Sequence, residues 1–484
     1  MIKAYIMKIR GIAFILLLFV AGAVSEGQEL KKSVMRDRLL QEGPGLPVIG
    51  NIRLVESSLE RPSVWSVGCE TLDRDYAVFN SFKQYIGETG VGYSRIQSGW
   101  NKTERELGKY DYEWLDEIVD GLLDEGVRPW MCLCWANLNF QDNIRGLHEF
   151  VNNEKEMVAW EKYVKATVRR YKDRVDMWEI WNEPDFSSKG YPLDYAAFFV
   201  RTAKVVKAAD PDAKVAIFAL SSMERPYVVP VLDKIKELGG LKYIDYATYH
   251  AYFDNPDLSA DYAIRFRETV QSYKPDIMIL QGESGCPAQL EYGHALCFQE
   301  WTEVKQAKWE ARHMLTQWGI GAPSSVFTMV DLRYENMLQS FGLIRMNLLS
   351  EPQYKRPKFY VVQNVTSLVT PDWKYSDKPR VTSCSSNREL TIKGIEKGGK
   401  VIGYFLWFGS RVPDDGTERE LVDLTIEGAE LEKPVYVDML TGKAYSLWRN
   451  MSRGAAIDDK IRFSALPLWD APVLVIDESE LDLR

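Results

Sequence analysis

The chain has 484 residues, 46% of them hydrophobic and 12% aromatic, which is enough to bury one large core and a smaller second one. A formal net charge of −9 gives no electrostatic reason to bind nucleic acid or an anionic membrane surface, and neutral or basic ligands are the default.

Taken in chain order, residues 1–25 read as a secretory signal. Lys3, Lys8 and Arg10 precede an apolar run from Gly11 to Ala21, and Ala23-Val24-Ser25 offers small residues for cleavage before Glu26. The run is too short to span a bilayer comfortably, and no later stretch reaches that length without charges. With no cysteine after it to carry a lipid, the expected destination is the periplasm or the medium, and no membrane is expected as a partner. Residues 26–44 form a charged leader, and residues 45–60 hold a strand-like run, Leu46 to Val55, that could pair with a later domain.

From residue 61 to 368 short apolar runs alternate with amphipathic helical stretches, the pattern of parallel strands with helices outside them. Eight strands are expected: Trp65 to Cys69, Gly92 to Gln97, Arg128 to Trp135, Val175 to Trp181, Lys214 to Ala219, Tyr243 to His250, Asp276 to Gln281 and Ser325 to Asp331. Eight such units predict a (β/α)8 TIM barrel, an α/β fold. Between them, Asp111 to Gly126 places Trp114, Ile118, Leu122 and Leu123 on one helical face and ends at a glycine suited to the position after a helix. Glu156 to Tyr171 and Leu193 to Ala209 repeat the pattern, and Asp210-Pro211 stops the second of these.

Residues 369–484 change texture. Seven short strands separated by turns are expected between Glu389 and Ile476, with Gly442 free to take positive φ in a hairpin turn. These predict a C-terminal β-sandwich. Of the six cysteines, Cys69, Cys132, Cys134, Cys286, Cys297 and Cys384, the first three sit in apolar runs as ordinary buried thiols. Cys286 and Cys297 share a loop and are candidates for a disulfide, because the export route permits one. No cysteine pair has a matching Cys or His pair at zinc-finger spacing.

Two strand ends carry the chemistry. Trp178-Glu179-Ile180-Trp181-Asn182-Glu183-Pro184 closes the fourth, and Ile279-Leu280-Gln281-Gly282-Glu283 closes the seventh. A barrel of parallel strands keeps its active site on that face, and two carboxyls in unlike surroundings can divide the work of cleaving an acetal. Glu183 is the expected general acid/base, beside Asn182 in a loop shaped by Pro184. Glu283 is the expected nucleophile, since Gly282 lets backbone and substrate approach. Trp135 and Asn137 after the third strand, Trp100 and Lys102 after the second, Asp331 at the end of the eighth and Glu70 after the first occupy the same rim as candidate subsite residues. The abundant Trp and Tyr supply faces that stack on sugars as readily as they fill a core.

These motifs resemble clan A retaining glycoside hydrolases, most closely family 39, the β-xylosidases and α-L-iduronidases, whose members also carry a β-sandwich. The resemblance implies Glu183 as acid/base, Glu283 as nucleophile, Asn182 on the sugar 2-hydroxyl and Arg95 beside the nucleophile. It also implies site roles for His250 and Tyr252, which end the sixth strand. It implies a β-linked glycoside, oligosaccharide or polysaccharide as substrate and no metal or organic cofactor. Two alternatives stay open: an endo-acting β-glycanase of the mannanase or glucanase kind, and a non-catalytic glycan-binding protein on the same fold. Asn-X-Ser/Thr sequons at Asn101, Asn364 and Asn450 are read as chance.

Overall fold

The computed structural model describes residues 30–187, 190–428, 431–453 and 460–484. The expected signal segment, residues 1–25, lies outside the described residues. Among those described, no helix is long and apolar enough to cross a membrane.

Eight parallel strands close into a barrel: Trp65–Gly68 (β1), Tyr93–Gln97 (β2), Arg128–Leu133 (β3), Met177–Ile180 (β4), Lys214–Leu220 (β5), Tyr246–Tyr249 (β6), Met278–Ser284 (β7) and Ser324–Val326 (β8). Each pairs with the next, and β8 returns to β1 through Val326 opposite Val67. Near-continuous apolar runs such as Val215 to Leu220 are buried on both faces, as parallel strands under a ring of helices must be.

All eight expected strands are present, but their ends differ where the chemistry sits. The expected fourth, sixth and eighth strands run past the last sheet residue, so Trp181, His250 and Asp331 belong to the loops that follow. β7 does the opposite and continues to Ser284, which holds Glu283 inside the sheet rather than after it.

The helix Glu113–Asp124 buries Leu115, Ile118, Val119 and Leu122. Trp114 and Leu123, expected on that face, are only half-buried at its edges, because the stripe is the i, i+3, i+4, i+7 set that starts at Leu115. Gly126 follows with φ +74°, as a helix-ending glycine does.

Residues from 374 onward supply six strands of a seven-stranded antiparallel sheet and all of a four-stranded one. Val48–Asn51 joins the larger one beside Lys443–Ser446, so the chain enters this layer before it enters the barrel. Three further strands have no counterpart among the seven expected: Lys374–Ser376, Arg380–Cys384 and Met451–Arg453. All three are short edge strands, and an edge paired on one side needs no apolar alternation. The helix Glu303–Gly319 is buried along its length from Gln306 onward, between barrel and sheets. Lys308 there reaches Asp470 at 2.5 Å and Asp414 at 3.1 Å, tying the layers together.

Candidate active site

The site is built on a buried arginine. Arg95 points into the barrel from β2, is fully buried, and donates to four side chains. Its Nε and one terminal nitrogen reach Glu179 Oε2 at 2.9 and 2.5 Å, and that same nitrogen reaches Asn182 Oδ1 at 2.8 Å. The other terminal nitrogen reaches Glu283 Oε2 at 3.0 Å and Glu70 Oε1 at 3.4 Å. Burial works against its charge, but Glu179, Glu283 and Glu70 together hold its pKa well above the ordinary value.

Glu283 receives the Tyr252 hydroxyl on Oε1 at 2.6 Å and lies 3.8 Å from His250 Nδ1. Burial would raise its pKa; His250, Arg95 and the Tyr252 hydrogen bond outweigh it and hold the carboxyl below its usual range. Glu283 is therefore ionised. Burial would likewise depress His250, yet Glu283 and the hydrogen bond to Glu183 lift it above its ordinary value.

Glu183 owes its direction to a distorted strand exit. Trp181 and Glu183 both take positive φ, +70° and +49°, conformations that cost an L-residue of order 1–3 kcal/mol and persist only where the surroundings impose them. The Glu183 N–H donates to Ala219 O at 3.0 Å, and its Oε1 lies 3.0 Å from His250 Nδ1. Two residues on, the buried Asp185 carboxylate accepts from Ser221 and Ser222 backbone and side chains at 2.8 to 3.3 Å. That clamp locks the Glu183 turn to the loop after β5. One carboxylate oxygen of Glu183, one of Glu283 and a ring nitrogen of His250 all lie within 4.8 Å of one another. Glu183 is 28% exposed and Glu283 13%, so the two carboxyls face one space from unlike environments.

That space is a cleft of about 1050 Å³ bordered by Glu70, Arg74, Gln97, Trp135, Asn182, Glu183, Tyr252, Glu283, His294 and Tyr334, among others. Residues 94–276 match the family model for glycosyl hydrolases family 39. A family 39 glycoside hydrolase from the gut symbiont Bacteroides cellulosilyticus WH2 superposes with a TM-score of 0.63 at 18% identity, over 87% of this chain and 82% of that one. The chain is an O-glycoside hydrolase whose barrel is similar to family 39.

A monomeric β-xylosidase from Caulobacter crescentus CB15 superposes with this glycoside hydrolase at a TM-score of 0.56 and 16% identity, covering 89% of this chain and 97% of that one. In sequence, β-glucosidase A of Thermotoga maritima is 21% identical over 400 residues, 76% of this chain and 84% of its own.

Of the residues singled out from the sequence, Glu183, Glu283, Asn182, Arg95, His250, Tyr252 and Trp135 converge on the cleft or on the network beneath it. Trp135 lies between Arg74 and Arg145, whose guanidinium carbons sit 5.3 and 5.4 Å from its ring. Four others do not converge. Trp100 is fully buried in an aromatic cluster with Phe140, Phe150, Trp160 and Tyr163, and its indole N–H donates to Glu104 at 2.6 Å. Asn137 is buried and holds the Glu104 carbonyl and the Asn139 N–H, each at 2.9 Å. Asp331 is taken up by Arg356 at 2.5 and 2.9 Å and by the Gly342 and Met346 N–H groups, both at 3.1 Å. Each follows a barrel strand, as read, but turns into loop packing instead of the cleft. Lys102 is likewise engaged, donating to Leu72 O at 2.9 Å.

All six cysteines are free thiols, so no bridge joins Cys286 and Cys297. Cys286 is buried in an apolar cluster with Trp301 and Trp309, and burial pushes its thiol well above the ordinary value; Cys297 stays half-exposed. The sequon residue Asn364 is 2% exposed and donates to Met439 O at 2.9 Å, which closes it to glycan in the folded chain.

Sequence reasoning missed Glu179, although its signal was present. A carboxylate flanked by Trp178 and Ile180 inside a buried strand must have a partner, and Arg95 and Thr248, at 2.5 Å, provide it. Arg74, Arg145, His294 and Tyr334 come from loops and had no comparable signal.

Proposed function

We propose that this glycoside hydrolase is a retaining, exo-acting β-glycosidase, with Glu283 as nucleophile and Glu183 as acid/base. The observation that carries the reading is the short separation of the two carboxyls. Oxygens within 4.8 Å suit direct attack on the anomeric carbon, for which carboxyls about 5–5.5 Å apart serve, whereas inversion needs about 6.5–9.5 Å to admit a water. Glu283, held ionised by His250, Arg95 and Tyr252, attacks that carbon. The glycosidic C–O bond breaks, and Glu183 delivers its proton to the departing oxygen. A water then attacks the glycosyl-enzyme and gives its proton to Glu183, and Glu283 leaves as a carboxylate.

Asn182, oriented by Arg95, is placed to meet the sugar hydroxyl next to the anomeric carbon. Exo action is supported by the loop after β7, whose His294, Ala295 and Leu296 wall the cleft. A β-glucoside or β-xyloside is supported by the names of the relatives above. Export rests on the sequence of residues 1–25 alone, and recovery of a mature chain starting near Glu26 would test it.

The mechanism is tested with a panel of aryl β-glycosides on wild type, Glu183→Ala and Glu283→Ala. One glycoside should turn over, both variants should fall by about 10⁴-fold or more, and azide should rescue Glu283→Ala as the glycosyl azide of inverted configuration. Azide product from Glu183→Ala instead, with retained configuration, would leave the acid/base role standing and move the nucleophile question to Glu283 alone. Silence on the aryl panel with release of sugars from β-glucan or mannan would favour endo action.

A further inference from the structure

A buried ammonium lies behind Phe327, a residue that borders the cleft. Lys358 comes from the helix Pro357–Leu368, is fully buried, and donates to Phe327 O at 2.9 Å and Phe341 O at 3.1 Å. Its Nζ also lies 3.0 Å from Glu310 Oε2, on the helix Glu303–Gly319. Burying a charge is costly unless it is paired and hydrogen-bonded, and here the hydrogen bonds go to two backbone carbonyls beside the active site. The other titratable groups facing the ammonium are neutral. Burial, with Lys358 itself, pushes His313 down to about 3, and burial holds the Cys286 thiol protonated.

The two carbonyls belong to the residues that grip Tyr252. The Phe327 and Phe341 rings stand edge-on to the Tyr252 ring, with centroids 6.3 and 6.1 Å away, and edge-on to each other at 5.6 Å. Tyr252 in turn donates to Glu283 Oε1 at 2.6 Å. The Phe327 N–H donates to Ser284 O at 2.8 Å, one residue after Glu283. This close approach needs a glycine at 285, where a Cβ would stand 2.2 Å from Phe327 O and 3.2 Å from Lys358 Nζ. Phe327 and Phe341 lie on separate stretches of the chain after β8, and one ammonium fixes both carbonyls. A hydrogen bond weakens steeply once bent below about 120°, so a small turn of the Tyr252 ring is felt at its hydroxyl.

We infer that Lys358 is a positioning residue for the hydrolysis: by holding the Phe327 and Phe341 carbonyls it fixes the two rings that aim the Tyr252 hydroxyl at Glu283. The inference rests on the proposed role of Glu283 as nucleophile. Arg95, Arg74, His250, Glu183 and Glu70 face Glu283 as well, so the test isolates the path through Tyr252.

A double-substitution cycle on kcat/KM does this, measured per folded molecule across pH with the aryl β-glycoside that turns over. Lys358→Met should lower kcat/KM about 10- to 100-fold, the scale of a small misplacement near reacting atoms. It should also move the acid limb to higher pH, because the Tyr252 bond helps keep Glu283 ionised. In a Tyr252→Phe background that bond is already gone. Lys358→Met should then cost less than about threefold more and leave the limb where Tyr252→Phe put it. Lys358→Met strands Glu310 without its partner, so Lys358→Met/Glu310→Leu, which removes both charges, is the second variant and should show the same loss and the same coupling. Independent, multiplicative losses, or a limb that loss of Lys358 does not move, would overturn the inference and leave the lysine a stabiliser of the barrel wall. Failure of azide rescue on Glu283→Ala would overturn the nucleophile role instead, and the cycle would still decide whether Lys358 positions Tyr252.

Discussion

Two buried arginines, Arg95 within β2 and Arg356 at the start of the helix Pro357–Leu368, differ in how their charge is spent. Arg356 meets Asp331 with two nitrogens at 2.5 and 2.9 Å, and each Asp331 oxygen also accepts a backbone N–H. The remaining guanidinium contacts are Glu303 at 3.2 Å and the Gly342 carbonyl at 2.9 Å, and both side chains of the pair are buried. Arg95 instead serves three carboxylates and an amide, and two of those carboxylates, Glu70 and Glu283, border the cleft. One bidentate, closed pair fixes a loop. An over-subscribed arginine beneath a cleft sets which carboxyl is ionised, and that is chemistry.

The comparison can be broken most directly at the arginines themselves. Removing one partner of a buried pair leaves an uncompensated charge, so Arg95→Met and Arg356→Met should each cost about 3–5 kcal/mol in denaturant unfolding. Their activities should part. Arg95→Met should lose about 10²–10³-fold in kcat/KM per folded molecule, on the scale of other preorganised electrostatic contacts, while Arg356→Met should stay within about threefold of wild type. Equal activity losses would erase the distinction.

A smaller effect sharpens it. Tyr252→Phe removes the 2.6 Å bond to Glu283; hydrogen bonds to charged groups are worth about 1.5–3 kcal/mol, so kcat/KM should drop about 10- to 150-fold. Because that bond helps depress the Glu283 pKa, the acid limb of the kcat/KM profile should move to higher pH. An unmoved limb would mean that Arg95 and His250 alone set the ionisation of Glu283.

The smallest expected effect concerns stability. Burial, with Glu283 next to it, raises the Glu70 carboxyl from 4.5 to about 8, against the opposing pull of Arg95. Its folded value lies above its unfolded one, so the native state binds the extra proton. The stability it contributes is full below about pH 4.5 and is lost as pH rises through about 8. Glu70→Gln cannot ionise and should flatten the decline in Tm across that window. Parallel wild-type and variant profiles would show Glu70 to be ionised throughout.

Much of this was legible in the sequence for a physical reason. The eight barrel strands are apolar runs bounded by polar turns, and burial on both faces forces that composition on them, so their number and order could be read directly. Glu183 and Glu283 were legible because each carboxylate stands where an apolar run ends, and Arg95 only through the family resemblance. Trp100, Asn137 and Asp331 occupy comparable strand-end positions and went elsewhere, since the turn after the strand decides whether a side chain faces the cleft or the neighbouring loop. Spacing along the chain does not record that choice. The half-exposed Cys297 and buried Cys286 show the same limit: sharing a loop did not bring their sulfurs together.

What the sequence determined by itself was therefore periodicity and the residue types at strand ends, because backbone geometry repeats every two residues in a strand and every 3.6 in a helix. Tertiary structure alone decided which three carboxylates share Arg95, that β7 carries Glu283 inside the sheet, that Glu183 lies under positive φ, and that Lys358 meets the Phe327 and Phe341 carbonyls. Those are contacts between residues up to 188 positions apart, as between Arg95 and Glu283. They arise from closing the barrel, which no local pattern encodes.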